Sequence, residues 1–325
     1  LPFKICILKI RIPQSKFRNP IMLGWILYKP SSELLHQEDY EILRFQESAA
    51  KFDIDLRVLN PEQIELIVTR DGRKSILVDN QATALPDFVM PRMGAMTNYF
   101  TLAVIRHLER LGVYPVNSSQ AVDTVKDKLY TLQILAEHDF PIPKTILAKF
   151  PVDTTIVEKQ LQFPVIVKTL SGSQGSGVFL SMDKNSFEDL MLLIAATNKN
   201  ANIILQEFVK KSKGRDLRVF TVGGRAIAAM ERRATDGSFK ANYSRGGKVK
   251  RYPVSVELAR LSREISRILA LDIAGIDFLF DKDGFKICEV NSSPGFKGIE
   301  SCCDISVPEE IFKFIRIQLG GGAAS

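Results

Sequence analysis

Two carboxylates and an amide near the end of the chain carry the clearest chemistry. Asp277 lies in Gly275-Ile276-Asp277-Phe278-Leu279-Phe280, and Glu289 and Asn291 lie in Lys286-Ile287-Cys288-Glu289-Val290-Asn291. Both segments read as short apolar strands, and Asp281-Lys282-Asp283-Gly284 between them is a turn signal. Side chains two residues apart on a strand share a face, so Glu289 and Asn291 project together. In a hairpin centred on residue 283, Asp277 stands opposite Glu289 and all three share that face. A two-residue Asp283-Gly284 loop would slip the pairing by one and turn Asp277 away. A longer loop is therefore expected, with Gly284 at positive φ. Three hard oxygen donors suit Mg²⁺ or Mn²⁺ rather than zinc, with no His or Cys expected among the ligands. Magnesium leaves positions open for phosphate oxygens, so a nucleotide is the expected partner. The alternative is a pair of merely exposed charges. Against it stand Ile276, Phe278, Phe280, Ile287 and Val290, which argue for burial, where unpaired carboxylates are costly.

Other elements must bring phosphate-binding groups to that face. Phe163 to Leu170 reads as a strand with one lysine, Lys168, among branched apolar residues. Ser171-Gly172-Ser173-Gln174-Gly175-Ser176-Gly177 follows, then a strand over Val178 to Ser181. Such a loop between strands can wrap N–H groups around phosphates, or be a plain flexible hairpin. It is not a Walker loop, since no Gly-Lys-Ser/Thr opens a helix after it. A helix is expected over Asp127 to His138, with Lys126 and Lys128 in its first turn. Cations there oppose the helix dipole, which hints at an anion, although a solvated lysine is the simpler reading. Arg218 falls on strand Asp216–Val222, and Arg232 and Arg233 at the end of strand Arg225–Glu231, the two joined across Gly223-Gly224. Arginine clamps phosphates and carboxylates with two bonds, but a solvated edge would also explain these. Asn242 to Lys248 is a loop with glycines and three potential anion contacts.

Earlier in the chain, strands over Met22 to Tyr28, Ile54 to Leu59, Asp87 to Met90 and Tyr114 to Asn117 alternate with helices over Glu38 to Phe52 and Tyr99 to Leu111. This alternation argues a small parallel α/β domain ending near residue 120. Ser75 to Val78 is expected as an edge strand. No glycine fingerprint follows the first strand, so dinucleotide binding has little support. Phe140-Pro141-Ile142-Pro143 breaks the chain into a new unit. Further helices are expected over Phe187 to Ala196, Val256 to Leu269 and Ile305 to Leu319, and a strand over Ile203 to Val209. The expected divisions are an extension over 1–20, an N-terminal α/β domain over 21–120, a central domain with the glycine-rich loop over 121–205, a C-terminal domain with the metal site over 206–319, and a tail over 320–325.

The 325 residues, 45% hydrophobic and 25% charged, suit an ordinary soluble protein of two or three compact units. The 4 cysteines lack metal-ligand or disulfide spacing, which fits a reducing compartment. The apolar run Ile21 to Tyr28 is too short to span a bilayer, and Lys4, Lys9 and Arg11 interrupt any secretory core. A net charge of +7 favours anionic partners. No basic run with interleaved aromatics supports direct nucleic-acid readout.

In this order, the segments resemble the ATP-grasp ligases, and among them the RimK-type glutamate ligases, whose namesake adds glutamates to the C-terminus of a small-subunit ribosomal protein. The resemblance spans roughly residues 21 to 315. It runs through Leu85 to Gly94, Lys126-Asp127-Lys128, the Ser171 to Gly177 loop, Gly214-Arg215-Asp216-Leu217-Arg218, Glu231-Arg232-Arg233-Ala234 and Glu289 to Glu300. It implies an ATP-grasp fold: an N-terminal parallel α/β pre-ATP-grasp domain before an α+β ATP-binding part. Lys128 and Lys168 would bind ATP phosphates, with Ser173, Gln174 and Gly175 in the covering loop. Gln206, Glu207, Phe208 and Val209 would form the hinge that holds adenine, largely through backbone groups. Asp216 would contact the nucleotide, and Asn242 would lie near the triphosphate. Asp277, Glu289 and Asn291 would hold two Mg²⁺ ions, with Mn²⁺ as a substitute. Arg232, Arg218 and Arg245 would stabilise the transferred phosphate or bind substrate carboxylates. Lys240 stands where relatives often carry Arg, which keeps charge and loses the fork. The extension before residue 21 matches nothing in the family.

The implied activity is ATP-dependent joining of a carboxylate, activated as an acylphosphate, to an amino acid. L-Glutamate is the expected donor and an acidic protein or peptide C-terminus, such as that of a ribosomal protein, the expected acceptor. A small-molecule ligase of the same mechanism and a noncatalytic nucleotide-responsive module are the alternatives. A cytoplasmic location, no membrane partner and a homo-oligomer, dimer or tetramer, complete the expectation.

Overall fold

The computed structural model describes residues 21–29, 37–70, 75–170, 177–197, 202–241, 246–282 and 284–320. The expected extension, most of the glycine-rich loop and nearly all of the tail lie outside these residues.

The N-terminal part opens with strand β1 (Met22–Leu27), helix α1 (Gln37–Ala49) and strand β2 (Ile54–Leu59). Strands β3 (Ile64–Leu66), β4 (Ile76–Val78) and β5 (Gln81–Ala82) follow, then β6 (Phe88–Pro91), helix α2 (Tyr99–Arg110) and β7 (Tyr114–Pro115). Four of these strands form a sheet of order β2-β1-β6-β7, parallel as expected. One face carries Trp25, Leu27 and Val89 against Val104, Ile105 and Leu108 of α2. The strand near Ser75 is not an edge. β4 is the middle of a separate antiparallel sheet, β3-β4-β5, because Ile64, Ile76 and Val78 bury together beside α2.

Helices α3 (Ser119–Lys126) and α4 (Lys128–Glu137) come next. α3 is not among the expected helices; Ser118 caps it by accepting from Ala121 N, and Ala121, Val122 and Val125 form its buried stripe. Lys126 therefore closes one helix, where a cation suits the dipole, and only Lys128 opens the next. Asp127 caps α4 by accepting from Tyr130 N. The central sheet, β10-β9-β11-β8, is built from β8 (Thr145–Leu147), β9 (Val165–Thr169), β10 (Val178–Ser181) and β11 (Ile203–Glu207), with α5 (Thr154–Leu161) and α6 (Lys184–Thr197) on one face. Alternation sends Val165 and Val167 into that helix-covered core, leaving Ile166 and Lys168 for the opposite face.

The C-terminal sheet, β14-β13-β12-β15-β16, is antiparallel throughout. Its strands are β12 (Arg215–Val222), β13 (Arg225–Arg233), β14 (Lys248–Arg251), β15 (Ile273–Asp281) and β16 (Gly284–Asn291). Helix α7 (Val256–Ile268) sits between β14 and β15, and α8 (Lys297–Cys302) and α9 (Val307–Gln318) close the chain. As expected, Gly223-Gly224 makes a two-residue turn, with Val222 paired to Arg225 and both glycines at positive φ. Leu217, Val219, Ile276 and Phe278 face Leu258, Leu261 and Ile265 of α7. On the other face Phe220, Met230, Phe296 and Phe312 share one core with Phe45 of α1 and Phe88 of β6. The N-terminal sheet is thus packed directly against the part that carries Asp277.

Candidate active site

Asp277 pairs with Glu289 and Gly275 with Asn291, which puts the carboxylates opposite each other as the sequence suggests. The route differs from the expectation. Asp281 pairs with Gly284, so the turn is short rather than long, and Gly284 takes φ of 133°. The register is restored farther up, where Phe278 pairs with Ile287 but Asp277 with Glu289. Cys288 is the extra residue of a β-bulge.

Across the sheet, Asp277 and Asp216 each meet an arginine on the neighbouring strand. Arg218 faces Asp277, donating from Nε to Oδ1 at 2.7 Å and from Nη2 to Oδ2 at 2.8 Å. Arg232 faces Asp216, donating from Nε to Oδ1 at 2.6 Å and from Nη2 to Oδ2 at 2.8 Å. Nη2 of Arg232 also lies 2.9 Å from Asp277 Oδ2. Arg232 is 4% exposed and Asp277 6%. Burial pushes the Asp277 carboxyl up, but Arg218 and then Arg232 outweigh it and hold it at about 2. Burial raises Asp216, with Arg232 pulling the other way.

A cleft open to solvent lies between the central and C-terminal sheets. Lys128, Lys168, Asp216, Arg232, Asp277 and Glu289 line it. Gln206, Glu207, Phe208, Val209 and Lys240 line it too. The Gln206 side chain is occupied, donating to Thr145 Oγ1 at 2.9 Å. Glu207 is occupied by Lys286 Nζ and by the Lys144 N–H at 3.0 Å. Glu207 N also donates to Lys144 O at 3.0 Å, so the backbone suited to a base is that of Phe208 and Val209, just past the end of β11. Lys240 Nζ sits 5.4 Å from the Phe239 ring and 5.8 Å from that of Phe179. Arg218 and Asn291 belong to the carboxylate face but not to the cleft wall. Ser173, Gln174, Gly175, Asn242 and Arg245 lie outside the described residues.

Sequence reasoning missed Arg215 and Cys288 in the cleft wall. Arg215 stacks 4.2 Å from the Phe280 ring centroid. It stood in the Gly214-Arg215-Asp216 motif, next to a residue that was singled out. Cys288 Sγ lies 3.6 Å from Lys168 Nζ. Burial pushes its thiol up, against the pull of Lys168. No spacing rule announces a bulged residue.

The donor set fits a hard divalent cation. Among the described residues no group of three or more His, Cys, Asp and Glu can hold a metal. Two carboxylates and an amide remain, with Asp277 Oδ1 accepting one bond and keeping a lone pair. Asn291 uses Nδ2 toward Gly275 O at 3.5 Å, which leaves Oδ1 for a ligand. Lys128 Nζ is 3.9 Å from Glu289 Oε1. So few protein oxygens suit Mg²⁺, which keeps waters and takes phosphate oxygens.

The model of the RimK-like ATP-grasp domain matches residues 125–315, and that of the RimK PreATP-grasp domain matches 34–122. This chain belongs to the RimK-like ATP-grasp family. It is similar to a probable alpha-L-glutamate ligase of Legionella pneumophila (strain Corby), 32% identical over 282 residues, covering 86% of this chain and 92% of the relative. The ribosomal protein bS6--L-glutamate ligase of Escherichia fergusonii is 33% identical over 278 residues, covering 85% and 92%. Among solved structures, the ATP-grasp ligase PsnB complexed with minimal precursor, Mg and ADP superposes with a TM-score of 0.69 at 17% identity, covering 92% of this chain and 98% of that one. D-alanine--D-alanine ligase from Bacillus anthracis gives 0.65 at 16%, covering 93% and 99%. These two establish the ATP-grasp fold. The RimK-like chain is an ATP-dependent carboxylate–amine ligase.

Proposed function

We propose that this RimK-like ligase adds L-glutamate to the C-terminal carboxylate of an acidic protein or peptide, a ribosomal protein among the candidates. The observation that carries the reading is the facing pair Asp277 and Glu289 below a cleft walled by Lys128 and Lys168. The names of the relatives supply glutamate, and the +7 charge suits an acidic acceptor that grows more acidic. Asp277, Glu289 and Asn291 would hold two Mg²⁺ ions, with Mn²⁺ as a substitute. Bound there, the cations supply charge neutralisation for the triphosphate.

Lys128 and Lys168 bind the phosphates, and Phe208 and Val209 hold the base through their backbone. Asp216 fixes the fork of Arg232, which points its charge at the transferred group. The acceptor carboxylate attacks the γ-phosphorus, and the bond to ADP breaks. The amine of glutamate then attacks the acyl carbon, an amide forms, and inorganic phosphate leaves. Arg232 and Arg218 stabilise negative charge in both steps. Cys288, Cys302 and Cys303 are free, which suits a reducing cytoplasm. A dimeric or tetrameric assembly is part of the proposal by analogy alone.

The test is incubation with ATP, glutamate and candidate acceptors, read by mass spectrometry. A ladder of products spaced by one glutamate residue supports the proposal. A single adduct on a metabolite acid would make it a small-molecule ligase. ATP binding without turnover on any acceptor would make it a binding module.

A further inference from the structure

The metal-site reading explains the carboxylates but not how two separate strand ends are held at the right spacing. The buried side chain of Asn117 does that. It follows β7 in the N-terminal part and is 0% exposed. Its Nδ2 donates to Ile273 O and to Ser292 O, each at 2.8 Å. Its Oδ1 accepts from Asp272 N at 2.7 Å and from Ile273 N at 2.9 Å. An amide has two donor hydrogens and two acceptor lone pairs, so every one is spent. All four go to backbone at the start of β15 or just past the end of β16. Ile273 leads to Asp277 on one strand, and Ser292 directly follows Asn291 on the other. Gly275 and Asn291 are the last ladder pair, so Asn117 bridges the strands where they would otherwise part.

A second clamp from the N-terminal part grips the chain just beyond. Glu41 of α1, 1% exposed, accepts from Phe296 N at 2.8 Å and pairs with Arg92, 5% exposed. Arg92 donates to Pro294 O at 3.0 Å and lies 5.9 Å from the Phe296 ring centroid. Burying a charged pair seldom adds stability over apolar packing, so its use points to fixing a geometry. Metal ligands must be held to within about half an ångström, and losing a supporting group commonly costs about 10–100-fold in metal affinity.

We propose that Asn117, backed by Glu41 and Arg92, is a positioning residue through which the N-terminal part sets the spacing of Asp277, Glu289 and Asn291 for divalent metal. This rests on the metal-site reading of the proposed function. The experiment titrates Mn²⁺ in the presence of ADP and follows free Mn²⁺ by electron paramagnetic resonance. It compares the unaltered protein with Asn117→Asp, Glu41→Gln and, as a control, Leu108→Ala. Leu108 is a buried residue of α2 in a core on the far face of the N-terminal sheet. Asn117→Asp keeps the two accepting contacts and sets an oxygen against two carbonyls. It is expected to weaken Mn²⁺ binding by about tenfold or more and to lower kcat more than it raises the KM for ATP. Leu108→Ala should lower the melting temperature and leave Mn²⁺ affinity alone. Unchanged Mn²⁺ affinity in folded Asn117→Asp overturns the inference. If that variant does not fold, Glu41→Gln decides: several-fold weaker Mn²⁺ binding sustains the inference and unchanged binding overturns it. Failure of the unaltered protein to bind Mn²⁺ would instead overturn the metal-site reading itself, and this inference with it.

Discussion

Asp277 faces Glu289 because Cys288 is an extra residue in β16. Were Cys288 paired in a regular ladder instead of bulged, Ile287 and Glu289 would point the same way, and Ile287 is buried against α7. The bulge lets one strand send Ile287 into the core and Glu289 into the cleft. Deleting Cys288 would leave Ile287 and Glu289 as neighbours on opposite faces, still paired with Phe278 and Asp277, so turnover should survive it, as it should in Cys288→Ala, which keeps the bulge. Steady-state assays of the two variants, with circular dichroism to confirm folding, check this.

Gly275 lies against the segment that follows Asn291. A Cβ there would meet Pro294 Cβ at 2.4 Å. Gly275→Ala must push β15 and the 292–296 segment apart. It should cost about 1–3 kcal/mol of stability and lower turnover in a protein that still folds, as measured by denaturant melts and assays on the same samples.

Glu289 is the half-exposed partner of the facing pair, its side chain 37% exposed. Glu289→Gln keeps its size and removes its charge. It should lower kcat by about a hundredfold or more while leaving the melting temperature near that of the unaltered protein. Asp277→Asn behaves differently, because Arg218 and Arg232 lose the anion they share. It should lose turnover and also about 3–5 kcal/mol of stability.

Acid should reveal the same arginines. The Asp277 carboxyl falls from its ordinary 3.8 to about 2 in the folded protein. A depressed folded value stabilises the native state above the unfolded value, and this is lost as pH falls from about 4 through about 2. The contribution at neutral pH is about 2 kcal/mol. Urea melts between pH 7 and pH 2 should show a loss in that acid window. The loss should be smaller in Asp277→Asn, which starts less stable and has no carboxyl to protonate there.

Arg232 makes a fork on Asp216 that lysine cannot copy. Arg232→Lys keeps a positive charge in the cleft and loses both its aim and its hold on Asp216. Turnover should drop by at least about tenfold with a smaller change in the KM for ATP, as read from initial rates against ATP.

Much of this site was legible in the residues. The apolar strands around Asp277 and Glu289 fixed which side chains were buried, and the period of two placed the carboxylate and amide together. Glycine pairs announced the β12–β13 turn. What escaped had physical reasons. The bulge at Cys288 has no composition of its own, so the right pairing was expected from the wrong loop. α3 is short and runs straight into the cap of α4, so only the second helix is legible and Lys126 reads as part of its first turn. The ties from Asn117, Glu41 and Arg92 span 156, 255 and 202 residues of sequence, and no local pattern reports a contact over such distances. The pairing of Arg218 with Asp277 is likewise a fact of sheet order, since β12 and β15 become neighbours only when the sheet is assembled.

The most direct test is a crystal structure with a nonhydrolysable ATP analogue and Mn²⁺, using anomalous scattering to locate the ions. Metal peaks are expected within about 2.0–2.3 Å of oxygens of Asp277, Glu289 and Asn291, with the phosphates reached by Lys128 and Lys168. Ions and triphosphate seated elsewhere, with those three side chains unligated, would contradict the metal-site reading.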